Sequence, residues 1–86
     1  IYMRIVFTRH AEKKLKDLKN LGVNVTKSLI ENVLTNPLHV DRESDPPNKI
    51  SSGEFGKKHL LRVVFREEND IIIVITFYPA RKGRYF

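Results

Sequence analysis

The sequence predicts a single α+β domain, residues 1–86, with two N-terminal helices packed on one face of a small, mostly antiparallel twisted sheet of about four strands. Three observations lead there. A β-branched and aromatic segment opens the chain, two stretches follow with apolar residues at helical spacing, and the second half holds two runs of alternating apolar residues.

Tyr2–Phe7 reads as the first strand, and Thr8 stops it. Thr8 is also a good N-cap, because its side-chain oxygen can accept from a backbone N–H that the first helical turn leaves unpaired. Ala11, Leu15, Leu18 and Leu21 then recur at helical spacing up to Gly22. Thr26 caps a second helix whose buried stripe is Leu29, Ile30, Val33 and Leu34. Asn36-Pro37 closes it, since proline disfavours helix in the residue before it. From Leu38 onward the signal weakens: a strand over Leu38–Arg42, a polar turn at Asp45-Pro46-Pro47-Asn48, and an extended run after Lys49. Lys58–Arg66 and Ile71–Tyr78 are clear strands that should form a hairpin.

The hairpin register follows from which side chains are apolar, because residues directly opposite on antiparallel strands share a face. Leu61, Val63 and Phe65 make one continuous core face with Ile71, Ile73, Ile75 and Phe77 only if odd positions oppose odd positions. That requires an odd-length loop, Glu68-Asn69-Asp70, with Asn69 or Asp70 in the left-handed conformation. Arg62 then faces Thr76, and the opposite side of the sheet carries Lys58, Arg62, Arg66, Thr76 and Tyr78 together with Leu60, Ile72 and Val74. Such a mixture of cations and apolar residues suits a groove.

Sixteen Lys and Arg against ten Asp and Glu leave a net charge of +6, unevenly spread. The segment 31–54 holds five acids against Arg42 and Lys49, a net −3, so the rest of the chain carries +9. A basic surface of this kind attracts a polyanion through its long-range field and through release of the counterions bound to each phosphate. Several other classes are disfavoured. With no cysteine there is neither a disulfide framework nor a thiolate metal site, and the cytoplasm is the expected compartment. The apolar run Ile71–Ala80 is too short to span a bilayer, and no basic segment followed by an apolar core marks a secretory signal. His10, His39 and His59 lack the spacing of a zinc pair, so no metal is expected. Gly53-Glu54-Phe55-Gly56 lacks the third glycine and the helix of a dinucleotide loop, which leaves no cofactor to expect. Ser51-Ser52 lacks the strand-turn-helix setting of a hydrolase nucleophile.

The remaining chemistry is electrostatic. RNA cleaves when its 2'-hydroxyl attacks the adjacent phosphorus, provided the phosphorane charge is stabilised and protons are moved. Arg, Lys, His and Tyr suffice for both tasks. The end of the chain, Pro79–Phe86, supplies Arg81, Lys82, Arg84 and two aromatics, so phosphate contact and base stacking can coexist there.

Leu61-Arg62-Val63-Val64-Phe65, Val74-Ile75-Thr76-Phe77 and Ala80-Arg81-Lys82-Gly83-Arg84-Tyr85, placed after a strand and two helices, resemble the RelE/ParE toxin superfamily over essentially the whole chain. Phe7-Thr8-Arg9-His10-Ala11 with the same C-terminal segments is similar to a poorly characterised branch of it, and Ala80-Arg81-Lys82 has some similarity to BrnT-like toxins. The resemblance implies a RelE-like fold and a metal-independent endoribonuclease, an mRNA-cleaving toxin acting on RNA on or off the ribosome and held by a cognate antitoxin protein. Arg62 matches the family arginine that stabilises the scissile phosphate, Arg81 the arginine just past the last strand, and Tyr85 the C-terminal tyrosine assigned to proton transfer. Lys57 and Lys58 resemble the family lysines less closely, Lys82 and Arg84 would help hold the RNA backbone, and His10 matches a histidine of the close branch that can serve as a base. Two alternatives stand beside this one: a non-catalytic nucleic-acid or protein-binding module, and a ParE-like gyrase poison.

Overall fold

The computed structural model describes residues 4–83, and the order of elements is β1 (Arg4–Phe7), α1 (Arg9–Asn20), α2 (Lys27–Thr35), β2 (His39–Asp45), β3 (Asn48–Phe55), β4 (His59–Glu68) and β5 (Ile71–Arg81). Both helices start as their sequence dictates. Thr8 accepts from the Ala11 N–H at 3.2 Å, and Thr26 accepts from the Leu29 N–H at 3.1 Å. After α1 the chain turns through Gly22, whose φ of 82° suits a residue without a Cβ.

The sheet departs from the expected one. It has five strands in the order β1-β5-β4-β3-β2, and it is mixed: β1 lies at one edge and runs parallel to β5, while the other pairs are antiparallel. The expectation of about four mostly antiparallel strands fails at two places. The strand concealed in the sequence is β3, whose centre Ser51-Ser52-Gly53 has little β propensity yet is fully buried between β2 and β4. Two of its small residues, Ser51 and Gly53, answer to α2 above them. A Cβ at Gly53 would meet the Val33 Cγ2 at 2.8 Å, so only glycine lets the helix approach this closely. Ser51 donates to the Val33 carbonyl at 2.8 Å. In a continuing helix that carbonyl would take the N–H of residue 37, and Pro37 has none. The second departure is the parallel edge, which depends on where the helices return the chain and leaves no local signal.

The β4–β5 register also differs from the expected one. Arg62 lies opposite Tyr78, not Thr76, and Val63 lies opposite Phe77. Then the pairing steps from Val64↔Thr76 to Phe65↔Val74, which makes Ile75 the extra residue of a β-bulge. Beyond it odd opposes even, and the hairpin closes with Glu68↔Ile71 around the two residues Asn69 and Asp70, Asn69 taking φ 56°. Val74 is therefore the residue buried at 0% against the helices, and Ile73, opposite Arg66, shares the face of Arg62. The core that results is Ala11, Val25, Ile30, Val33, Leu61, Val63, Val74 and Phe77, lined by Ile5, Phe7, Leu15 and Leu18. The bulge is held from outside the hairpin: Thr8 donates its hydroxyl to the Ile75 carbonyl at 3.1 Å and its backbone N–H to the Val74 carbonyl at 3.0 Å.

Candidate nucleic-acid interface

A polar row crosses the sheet on the face away from the core. His39, Ser52, Arg62 and Tyr78 are direct partners on β2, β3, β4 and β5, so their side chains leave the sheet on the same side. Arg62 donates from Nε to the Tyr78 hydroxyl at 3.0 Å and from Nη1 to the Ser52 hydroxyl at 3.4 Å, with its guanidinium 5.9 Å from the centre of the Tyr78 ring. Arg62 is only 5% exposed, whereas Tyr78 is half-buried, so the tyrosine presents the row to solvent and the arginine supports it from beneath.

The row continues onto α1. β1 pairs with β5 only as far as Val74, and beyond that point α1 lies beside β5. Thr76, two residues along the strand from Tyr78, has its hydroxyl 3.3 Å from His10 Nε2 and 3.4 Å from Lys14 Nζ, which donates to it. A hydroxyl that accepts from an ammonium has its own proton left to offer, so His10 Nε2 can accept from it in the tautomer that carries the ring proton on Nδ1. Lys14 is steadied by the Phe77 ring, 5.6 Å away. His10, Lys13, Lys14 and Asp17 line a cleft of about 270 Å³ here, and exposed Arg9, Lys13, Lys16 and Lys19 continue the positive charge along the helix.

At the β2 end the row meets a carboxylate. Asp41 accepts from the Ser44 hydroxyl and from the backbone N–H groups of Glu43 and Ser44, each at 3.0 Å for the latter two. The Ser44 hydroxyl above all, then those two N–H groups, hold its carboxyl down from an ordinary 3.8 to about 2, with Arg62 adding a smaller attraction. His39, Val40, Asp41, Arg42 and Glu43 line a cleft of about 460 Å³.

The other residues singled out in the sequence lie elsewhere. Arg81 opposes His59 at the far end of β5, on the opposite face of the sheet from Arg62. It is five residues from Thr76, about 17 Å of strand, so Arg81 and His10 are not brought together. Lys57 and Lys58 sit in the β3–β4 turn beside it, with the Lys58 carbonyl accepting from the Lys82 N–H at 2.9 Å and the Lys82 ammonium paired with Glu54 at 2.7 Å. These four cations form a basic end distinct from the polar row. Tyr85 and Arg84 lie outside the described residues. The sequence places Tyr78 and Thr76 on this face but assigns neither a role there, because the pairing of Arg62 with Tyr78 rests on the bulge, and it carries no signal that brings Lys14 to Thr76.

Among the described residues no three His, Asp or Glu side chains come together as metal ligands, and no helix is long and apolar enough to cross a membrane. No family model, no curated protein and no solved structure matches this chain.

Proposed function

We propose that this protein binds RNA across the open face of its sheet and cleaves it by 2'-hydroxyl attack without a metal ion. The observation that supports this reading is the continuity of Arg62, Tyr78, Thr76 and His10, which joins a supported phenol to an imidazole beside a basic helix. In this reading the 2'-hydroxyl replaces the Thr76 hydroxyl at His10 Nε2 and gives it its proton, the O2'–P bond forms as the P–O5' bond breaks, water protonates the leaving 5'-oxygen, and the Tyr78 hydroxyl donates to the phosphorane oxygens while Arg62 favours the charge that develops on it. Lys13 and Lys14 hold the backbone. Lys57, Lys58 and Lys82 at the basic end extend the RNA's path past the edge of that face, and a separately encoded acidic protein that covers the cations would neutralise the activity.

A binding module without catalysis is the second reading, favoured by the burial of Arg62 at 5%, which keeps its guanidinium from direct contact with a phosphate. One experiment separates the two. Purified protein is incubated with RNA in chelator, alone and with ribosomes, and the ends are analysed. Cleavage leaving 2',3'-cyclic phosphates, lost about 100-fold or more in His10→Ala and Tyr78→Phe, supports the first reading. RNA binding with no product from any folded sample leaves only the second.

A further inference from the structure

We propose that β1 is a self-pairing edge, which pairs antiparallel with β1 of a second copy about a two-fold axis at Val6 and joins the two sheets into one. The proposal does not depend on what the open face binds. The Arg4 N–H donates to the Asp70 carbonyl at 3.1 Å and the Thr8 N–H to the Val74 carbonyl at 3.0 Å. Backbone groups alternate in direction along a strand, so Arg4, Val6 and Thr8 turn theirs towards β5 while Ile5 and Phe7 turn theirs away from it. β1 is the last strand at its end of the sheet, and among the described residues no strand lies beyond it to take these groups.

Those two residues set the register. Ile5 opposite the partner's Phe7, twice over, lets both outward residues of each copy exchange hydrogen bonds, about four in all. Val6 then meets the partner's Val6 at the axis, on the open face of the sheet. Val6 is 37% exposed, a large apolar side chain left open on a strand, and the pairing covers it. Arg4 falls opposite the partner's Thr8, so no like charges meet, and Ile5 against Phe7 is a favourable branched–aromatic pair on the core face. β2, at the other edge, is built against such pairing: its line breaks at the irregularity between Asp41 and Asp45, and Asp41, Glu43 and Asp45 would set like charges against each other. β1 has neither a bulge, a proline nor an acid. A two-fold axis within a sheet stands perpendicular to it, so both open faces lie on the same side. One pair of four-residue strands is a small interface, below about 1,200 Å², and the dimer is a weak one that forms as concentration rises.

The chain has no cysteine, which makes the test direct. Opposed residues that do not exchange hydrogen bonds lie about 4.5 Å apart at Cα, inside the roughly 4.4–6.8 Å that a disulfide spans. Under mild oxidant Val6→Cys should form a disulfide-linked dimer at least about tenfold faster than Leu21→Cys. Exposure alone favours the opposite order, since Leu21 is 77% exposed and Val6 37%. In the unaltered protein, hydrogen exchange at the Ile5 and Phe7 amides should slow as protein concentration rises, and Val6→Lys, which brings two ammoniums together at the axis, should abolish that dependence. Cross-linking of Val6→Cys no faster than that of Leu21→Cys overturns the proposal. So does exchange at Ile5 and Phe7 that is independent of concentration, or a dependence that Val6→Lys leaves intact.

Discussion

Ser51 is a hydroxyl with no exposed surface in the middle of a sheet, and the cause lies 14 residues earlier, where Pro37 takes away the donor that the Val33 carbonyl would otherwise use. Replacing Ser51 by alanine leaves that carbonyl buried and unpaired. The expected loss is about 1–3 kcal/mol in chemical denaturation, with the unfolding slope unchanged. An effect below a few tenths would show that the helix end is satisfied some other way. Asp41 makes a different residue-scale statement. Its folded carboxyl titrates at about 2 against an ordinary 3.8, so it contributes stability that is fully present above about 4 and is lost as pH falls through about 2. Asp41→Asn should therefore flatten the acid limb of stability against pH between about 4 and 2 relative to the unaltered protein. Identical acid limbs would contradict the hydrogen-bonded carboxylate.

At the scale of elements, Thr8 joins three of them: it ends β1, caps α1 and holds the bulge of β5. The bulge at Ile75 decides which apolar residues of β5 enter the core, since one inserted residue exchanges the two faces from there to the hairpin turn. Thr8→Val keeps the shape and loses both hydroxyl bonds, for an expected destabilisation of about 1–2 kcal/mol by urea denaturation, while Thr8→Ser retains most of the stability. Equal losses from the two would assign the effect to the threonine methyl group instead. The same loss should loosen Thr76, the residue just past the bulge, against His10.

For the whole molecule, folding turns a segregation along the sequence into one in space. Three of the five acids of the middle segment, Asp41, Glu43 and Asp45, lie on β2 at one edge of the sheet, and the lysines of α1 lie beside the other. RNA affinity should fall linearly on a log-log plot against salt, with a slope near −0.7 for each phosphate neutralised. The double variant Lys13→Glu with Lys16→Glu should weaken binding and make that slope shallower by about one to two phosphate contacts, as read by fluorescence anisotropy over a range of salt. An unchanged slope would move the RNA off α1.

Local chemistry was enough to predict α1 and α2 with their caps and the existence of the β4–β5 hairpin, because a capping hydroxyl, a helical apolar stripe, a proline and an alternating run each act within a few residues. The same locality made Arg62 and Tyr78 legible as neighbours on one face, without their pairing. The tertiary structure alone decided the rest. Whether Ser51-Ser52-Gly53 forms a strand depends on Val33 of a helix pressing on it, and the register of β5 depends on a threonine 67 residues away in sequence from Ile75. The parallel edge of β1, and the meeting of His10 with Thr76, depend likewise on where two helices return the chain. Small residues, bulges and edges answer to partners distant in sequence, and a period of 2 or 3.6 carries no record of them.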